Sequence, residues 1–125
     1  MTRATLALAA IFFGCFTGVS HGGDWLMYRG NAARTASTQE ALPQSLNLRW
    51  EYRATNPPQP AWPRSDRMTF DRAYQPVIGS SVLLFGSSYD GTVRALETKS
   101  GRLRWTFFTQ APVRFAPVIW RDRAL

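Results

Sequence analysis

An all-β chain built on a repeated four-stranded unit is the fold class that this 125-residue sequence predicts. The first observation behind it is a repeat. Tyr74-Gln75-Pro76-Val77-Ile78 returns as Phe115-Ala116-Pro117-Val118-Ile119, aromatic-x-Pro-Val-Ile, at a spacing of 117 − 76 = 41 residues. The second is that the stretch between the copies divides into short apolar or alternating runs separated by turn residues, while helix signals are weak outside the N-terminus. A period near 41 is that of a four-stranded propeller blade. The expectation is therefore a partial β-propeller, one complete four-stranded blade plus parts of two others, after an N-terminal signal helix.

The blade is expected over residues 74–110. Its first strand is Gln75–Ile78, entered through Pro76. The second is Val82–Ser87, rich in β-formers and apolar enough to lie buried. Asp90-Gly91 reads as a two-residue hairpin turn, since a type I′ turn needs two positive φ angles. Thr92–Leu96 is the third strand. Thr98-Lys99-Ser100-Gly101 turns the chain again, with Gly101 free to take positive φ. Arg102–Phe108 is the fourth. Residues 111–125 then begin a second copy and reach Leu125 without its third and fourth strands. The 125 residues are accordingly expected not to complete a fold, and to associate or partly unfold through the edges Arg102–Phe108 and Phe115–Trp120.

Ahead of the blade, Met1–Arg3 is a short positive start and Ala4–Val19 runs without a charge. Small residues follow at Ser20–Gly23. That order is a secretory signal peptide, expected over residues 1–22, and it implies export to the periplasm or beyond the cell. Sixteen residues fall short of the ~20 needed to span a membrane. Gly14-Cys15 has the pair of a bacterial lipobox, so a membrane link is expected only if Cys15 is lipidated. Residues 23–53 are expected to be an N-terminal extension with a clasp strand, Leu46–Tyr52, which in a propeller would join the last blade and close the ring. Leu48-Arg49-Trp50 matches Leu103-Arg104-Trp105 at a spacing of 55, and the excess of 14 falls in the Pro-rich loop of residues 54–73.

The formal charge is +7, and of fifteen basic residues only Lys99 is lysine. The arginines are scattered among acids, as in Arg121-Asp122-Arg123, with no dense basic run. Solvated strand faces explain them better than a nucleic-acid surface, and no nucleic-acid partner is expected. Cys15 and His21 are the only cysteine and histidine, which excludes an internal disulfide and a Cys/His metal cluster.

The turn before the fourth strand carries a further pattern. Ala95-Leu96-Glu97-Thr98-Lys99-Ser100-Gly101-Arg102-Leu103-Arg104-Trp105 resembles the tryptophan-docking motif of pyrroloquinoline quinone (PQQ)-like propeller repeats. Ala95, Gly101 and Trp105 match that motif outright, and Glu97, Ser100 and Arg102 are close replacements. The opening Asp24-Trp25-Leu26-Met27-Tyr28-Arg29-Gly30 resembles the Trp-x-x-x-Arg-Gly start of secreted members of the family. The resemblance spans about Asp24 to Leu125. It implies that the glycine makes the turn, that the acid and hydroxyl satisfy turn N–H groups, and that Trp105 lies across the blade edge against a neighbouring blade. Those six residues are then structural and not catalytic.

Three functions follow as expectations. One is an exported, non-catalytic propeller acting as a binding or scaffold module, its partner a protein or further blades. Another is part of a quinoprotein dehydrogenase, with PQQ entering only through the family and a calcium held by carboxylates and an amide. No Asp/Glu/Asn group has ligand spacing, so no catalytic, cofactor or metal residue is expected. The nearest approach to a site is Trp62, Asp66 and Asp71 in the Pro-rich loop, whose simpler reading is a solvated loop packed on the blade. The third is a truncated product without independent function.

Overall fold

A computed structural model describes residues 23–60 and 73–125. The expected signal helix, with Cys15, and the loop residues Trp62, Asp66 and Asp71 lie outside that range. The described part is all-β and holds no helix.

Four strands form an antiparallel meander in the order β1 (Val77–Gly79), β2 (Val82–Ser87), β3 (Thr92–Glu97), β4 (Leu103–Phe108). Bounds differ from expectation by a residue or two at β1, β3 and β4. Leu84 sits opposite Ala95, which in turn sits opposite Trp105. Side chains alternate across the sheet, so Val77, Val82, Leu84, Val93, Ala95, Trp105 and Phe107 share one face. Ile78, Leu83, Phe85, Arg94, Leu96, Thr106 and Phe108 share the other. Val77, Leu84 and Ala95 are buried as the core of the first face, with Val82, Ala116 and Ile119 packed against them.

The hairpin turns depart from expectation in a physically legible way. β2 and β3 close through Ser87 opposite Thr92, a four-residue loop rather than a two-residue turn. Only Gly91 there has positive φ (59°). Asp90 uses its side chain instead of a left-handed backbone: it accepts from Thr92 Oγ1 at 2.7 Å. The turn with two positive φ angles is Ser80-Ser81 (48° and 68°), joining β1 to β2. The Asp24 carboxylate accepts from the Ser80 N–H at 3.2 Å and steadies it.

A second hairpin, β5 (Ile119–Trp120) and β6 (Arg123–Ala124), repeats the first in register. Gly79 opposite Val82 becomes Trp120 opposite Arg123, and Ile78 opposite Leu83 becomes Ile119 opposite Ala124, each shifted by 41 (120 − 79 = 123 − 82 = 41). Positive φ returns at Arg121 (54°), 41 residues after Ser80. The N-terminal segment joins the two hairpins. Trp25 exchanges both backbone bonds with Ile78, and Leu26 O accepts from Ile119 N at 2.8 Å.

Residues 46–52, expected as a clasp strand, take no ladder partner among the described residues. They continue into an extended strap, 50–60, that crosses the second face of the sheet. Even-numbered residues from Trp50 to Pro58 are partly buried while the odd ones from Glu51 to Pro57 are exposed. The period of a strand persists without its hydrogen bonds, because the strap lies over side chains rather than beside a backbone edge.

Candidate functional site

The motif turn is held by its own polar groups. Gly101 N–H donates to Glu97 O at 2.8 Å, and Glu97 N–H to Arg102 O at 2.9 Å. Ser100 Oγ donates to the Glu97 carboxylate at 2.6 Å and accepts from Arg102 N–H at 3.2 Å. The Ser100 hydrogen bond, aided by Arg102, Arg104 and Lys99 nearby, holds the Glu97 carboxyl below its ordinary pKa. Thr98 ties the turn to the β1–β2 hairpin, its N–H and hydroxyl both donating to Ser81 O. Gly101 has φ +69°, a conformation costly for other residues.

Onto this turn docks a tryptophan, and it is Trp50. Its Nε1–H donates to Thr98 O at 2.8 Å. Its ring lies so close over Gly101 that a Cβ there would stand 2.6 Å from Cδ2 and Cε3. Gly101 thus serves twice, for the turn and for the ring's approach. Nothing in the Ala95–Trp105 pattern alone names this partner; the signal for it was the repeated Leu-Arg-Trp. Trp105 points away from the turn, on the face that carries Ala95. It is 42% exposed and forms part of the wall of a groove. The opening motif is packed on the same principle: the Trp25 ring lies over Gly30, 3.0 Å from where a Cβ would stand, with Gly30 at φ +87°.

The groove has a volume of about 910 Å³ and runs between the first face of the sheet and the second hairpin. Val93, Trp105 and Phe107 form one wall; Phe115, Pro117 and Leu125 form the other. Trp105, Phe107, Phe115 and Leu125 are all exposed there. Arg114 is the one charged side chain of the lining.

On the opposite face a polar and aromatic cluster sits under the strap. Phe85 is buried between Tyr52 and Tyr74, with ring centroids at 5.4 Å and 4.8 Å. Tyr74 OH donates to Asn56 O at 3.0 Å, and Ser88 Oγ donates to Gln59 O. Arg94 forks both guanidinium nitrogens onto Asp90. Burial works against the Asp90 charge, but hydrogen bonds from Arg94, Thr92 and Ser87 outweigh it and lower the pKa to about 2. Burial is also the main cause raising the Tyr74 pKa, against the pull of Arg94. Arg94 is pushed up in turn by its bond to Asp90. Tyr74, Ser88, Asp90 and Arg94 all find partners within the chain, so these groups act as a fastening.

The structure therefore brings together Ala95, Glu97, Ser100, Gly101 and Arg102 at one sheet end and seats Trp50, rather than Trp105, on them. Comparison with protein-family models, curated proteins and solved structures returned no match.

Proposed function

We propose that this chain is an exported segment of a PQQ-like β-propeller and acts as a binding or scaffold module without chemistry of its own. The observation that carries the reading is the seat of Trp50 on the Gly101 turn. A tryptophan from the preceding Leu-Arg-Trp docks on the turn of the following four-stranded unit, and the next Leu-Arg-Trp presents Trp105 outward, one unit further on. The register-exact return of the β1–β2 hairpin as β5–β6 supports the same repeat. In this reading Trp105 awaits a second turn of the Thr98–Gly101 kind, and the groove is the space between adjacent blades. The family's quinone is not part of the proposal, and the partner is a protein surface or further blades.

A graft tests it. Leu125 corresponds to Leu84 (125 − 41 = 84), so residues 85–110 fused after Leu125 would supply a second set of the third and fourth strands with their turn. The expected result is that Trp105 becomes shielded. Acrylamide quenching of its fluorescence, taken as the difference between the grafted chain and its Trp105→Phe variant, should fall well below that in the parent. Trp105 staying as accessible as before would show that the 41-residue unit is not a blade.

A further inference from the structure

The outer edge of β4 has a feature that the blade reading does not use. β4 is the last strand of its sheet, and among the described residues no backbone group pairs with its far side. Which groups face outward follows from Thr109, whose N–H donates to Gly91 O. Backbone direction alternates along a strand, so Phe107 and Trp105 also point their N–H and C=O groups toward β3. Thr106 and Phe108 point theirs outward. The pairing shifts between Ala95 and Leu96, with Trp105 opposite one and Leu103 opposite the other. Arg104 is therefore the extra residue of a bulge, and the regular part of the edge runs from Trp105 to Phe108, with Arg104 at its start. That run carries no proline and no charge, and the bulge and Arg104 that blunt an edge stand only at its start.

We propose that this edge pairs antiparallel with the β4 edge of a second copy of the chain, in the register that sets Thr106 opposite Thr106. Two copies related by a twofold axis normal to the sheet keep paired residues on the same face. Thr106 then exchanges both backbone bonds with its counterpart, as its outward N–H and C=O require. Trp105 of each copy falls opposite Phe107 of the other, in the non-hydrogen-bonded pairs where side chains approach most closely. Those aromatic pairs, 42% and 62% exposed in the single chain, gain their partners. Arg104 falls opposite Phe108, itself 75% exposed, and lays its guanidinium over that ring instead of meeting its own copy. No like charges oppose each other anywhere in the overlap. This self-complementarity, ring on ring and cation on ring, is the argument for a second copy of this chain in an isologous contact.

The register predicts opposite effects of opposite charges at one exposed position. In the full chain, light scattering should show a concentration-dependent dimer. Phe108→Asp places a carboxylate across from Arg104 of the other copy, twice over. It should retain the dimer and make it weaken as salt is added. Phe108→Arg sets like charges opposite each other and should weaken dimerisation about tenfold or more. Thr106→Pro removes only an outward N–H, which an edge strand tolerates, and should abolish the dimer. The apolar N-terminal run is common to all these chains, so the contrasts report β4. A chain that stays monomeric at every concentration overturns the proposal and leaves the edge to an unrelated strand. So does equal loss in the Asp and Arg variants, which would mean unspecific apolar contact. Because Phe108 is exposed, those two variants keep the proposal testable even if Thr106→Pro fails to fold.

Discussion

Gly101 is the position where turn geometry and ring packing meet, and the cost of losing each can be separated. Gly101→Val forces a β-branched residue to φ +69° and pushes a Cβ into the Trp50 ring. The backbone strain alone is worth about 1–2 kcal/mol, and displacing the ring adds to it. Trp50→Ala should cost about 2 kcal/mol, less than the ~3–5 of a fully buried aromatic, because the ring is only partly buried. Trp50→Phe keeps the stacking and loses the bond to Thr98 O, about 1 kcal/mol. Urea titrations of the three variants check the order. If Gly101→Val matched wild type within ~0.5 kcal/mol, the ordinary surface scale, neither the turn nor the seat would matter. The glycine, acid and hydroxyl of this turn were legible from spacing, because turn chemistry is local. The tryptophan that uses it stands 51 residues earlier (101 − 50), and no local rule reaches that far.

At the scale of the element, strands were easier to place than turns. Val82–Ser87 is predicted to the residue because an apolar β-rich run between turn residues has few alternatives. Asp90-Gly91 misled because Asp supplies hydrogen bonds through its side chain as readily as it adopts left-handed φ. The same aspartate ties β2 and β3 together through Ser87, Thr92 and Arg94, and this has a pH signature. Its pKa is depressed in the folded chain, to about 2 from an ordinary 3.8. The stabilisation is then fully present above about pH 4 and is lost as pH falls toward 2. Denaturant unfolding of wild type and Asp90→Asn at matched pH should show a stability gap that narrows over that window. A gap that stayed constant from pH 6 to pH 2.5 would mean the carboxylate charge contributes nothing to holding Arg94.

The whole molecule has two covered faces and unequal covers. The strap fastens one face through Trp50, Tyr52 and the backbone oxygens of Asn56 and Gln59. The second hairpin and the segment before it cover the other only near β1 and β2, where Ile119 and Val113 approach Gly79 and Gly86 closely. Beyond them the groove stays open and Trp105, Phe107 and Phe115 remain exposed. Export belongs to this scale too. The charge-free run Ala4–Val19 and the small residues after it lead us to expect a mature N-terminus between His21 and Asp24, without lipid. Intact-mass measurement on protein recovered from the host envelope checks it. A diacylglycerol-bearing Cys15 as first residue would make the chain a lipoprotein instead.

The sequence by itself determined the all-β class, the four strands of the sheet, the Gly101 turn and the 41-residue return of the hairpin. Each rests on a pattern written within one period: alternation, turn residues, or self-similarity. Only the tertiary structure decided that Trp50 and not Trp105 occupies this turn. It also showed that residues 50–60 lie across the sheet without joining its ladder, and that β4 keeps an edge, regular from Trp105 to Phe108, that is unpaired among the described residues. The physical reason is the same in each case. Docking, strapping and edge exposure depend on which distant surfaces meet, and burial of a ring or a strand face is not directional enough for spacing to name its partner.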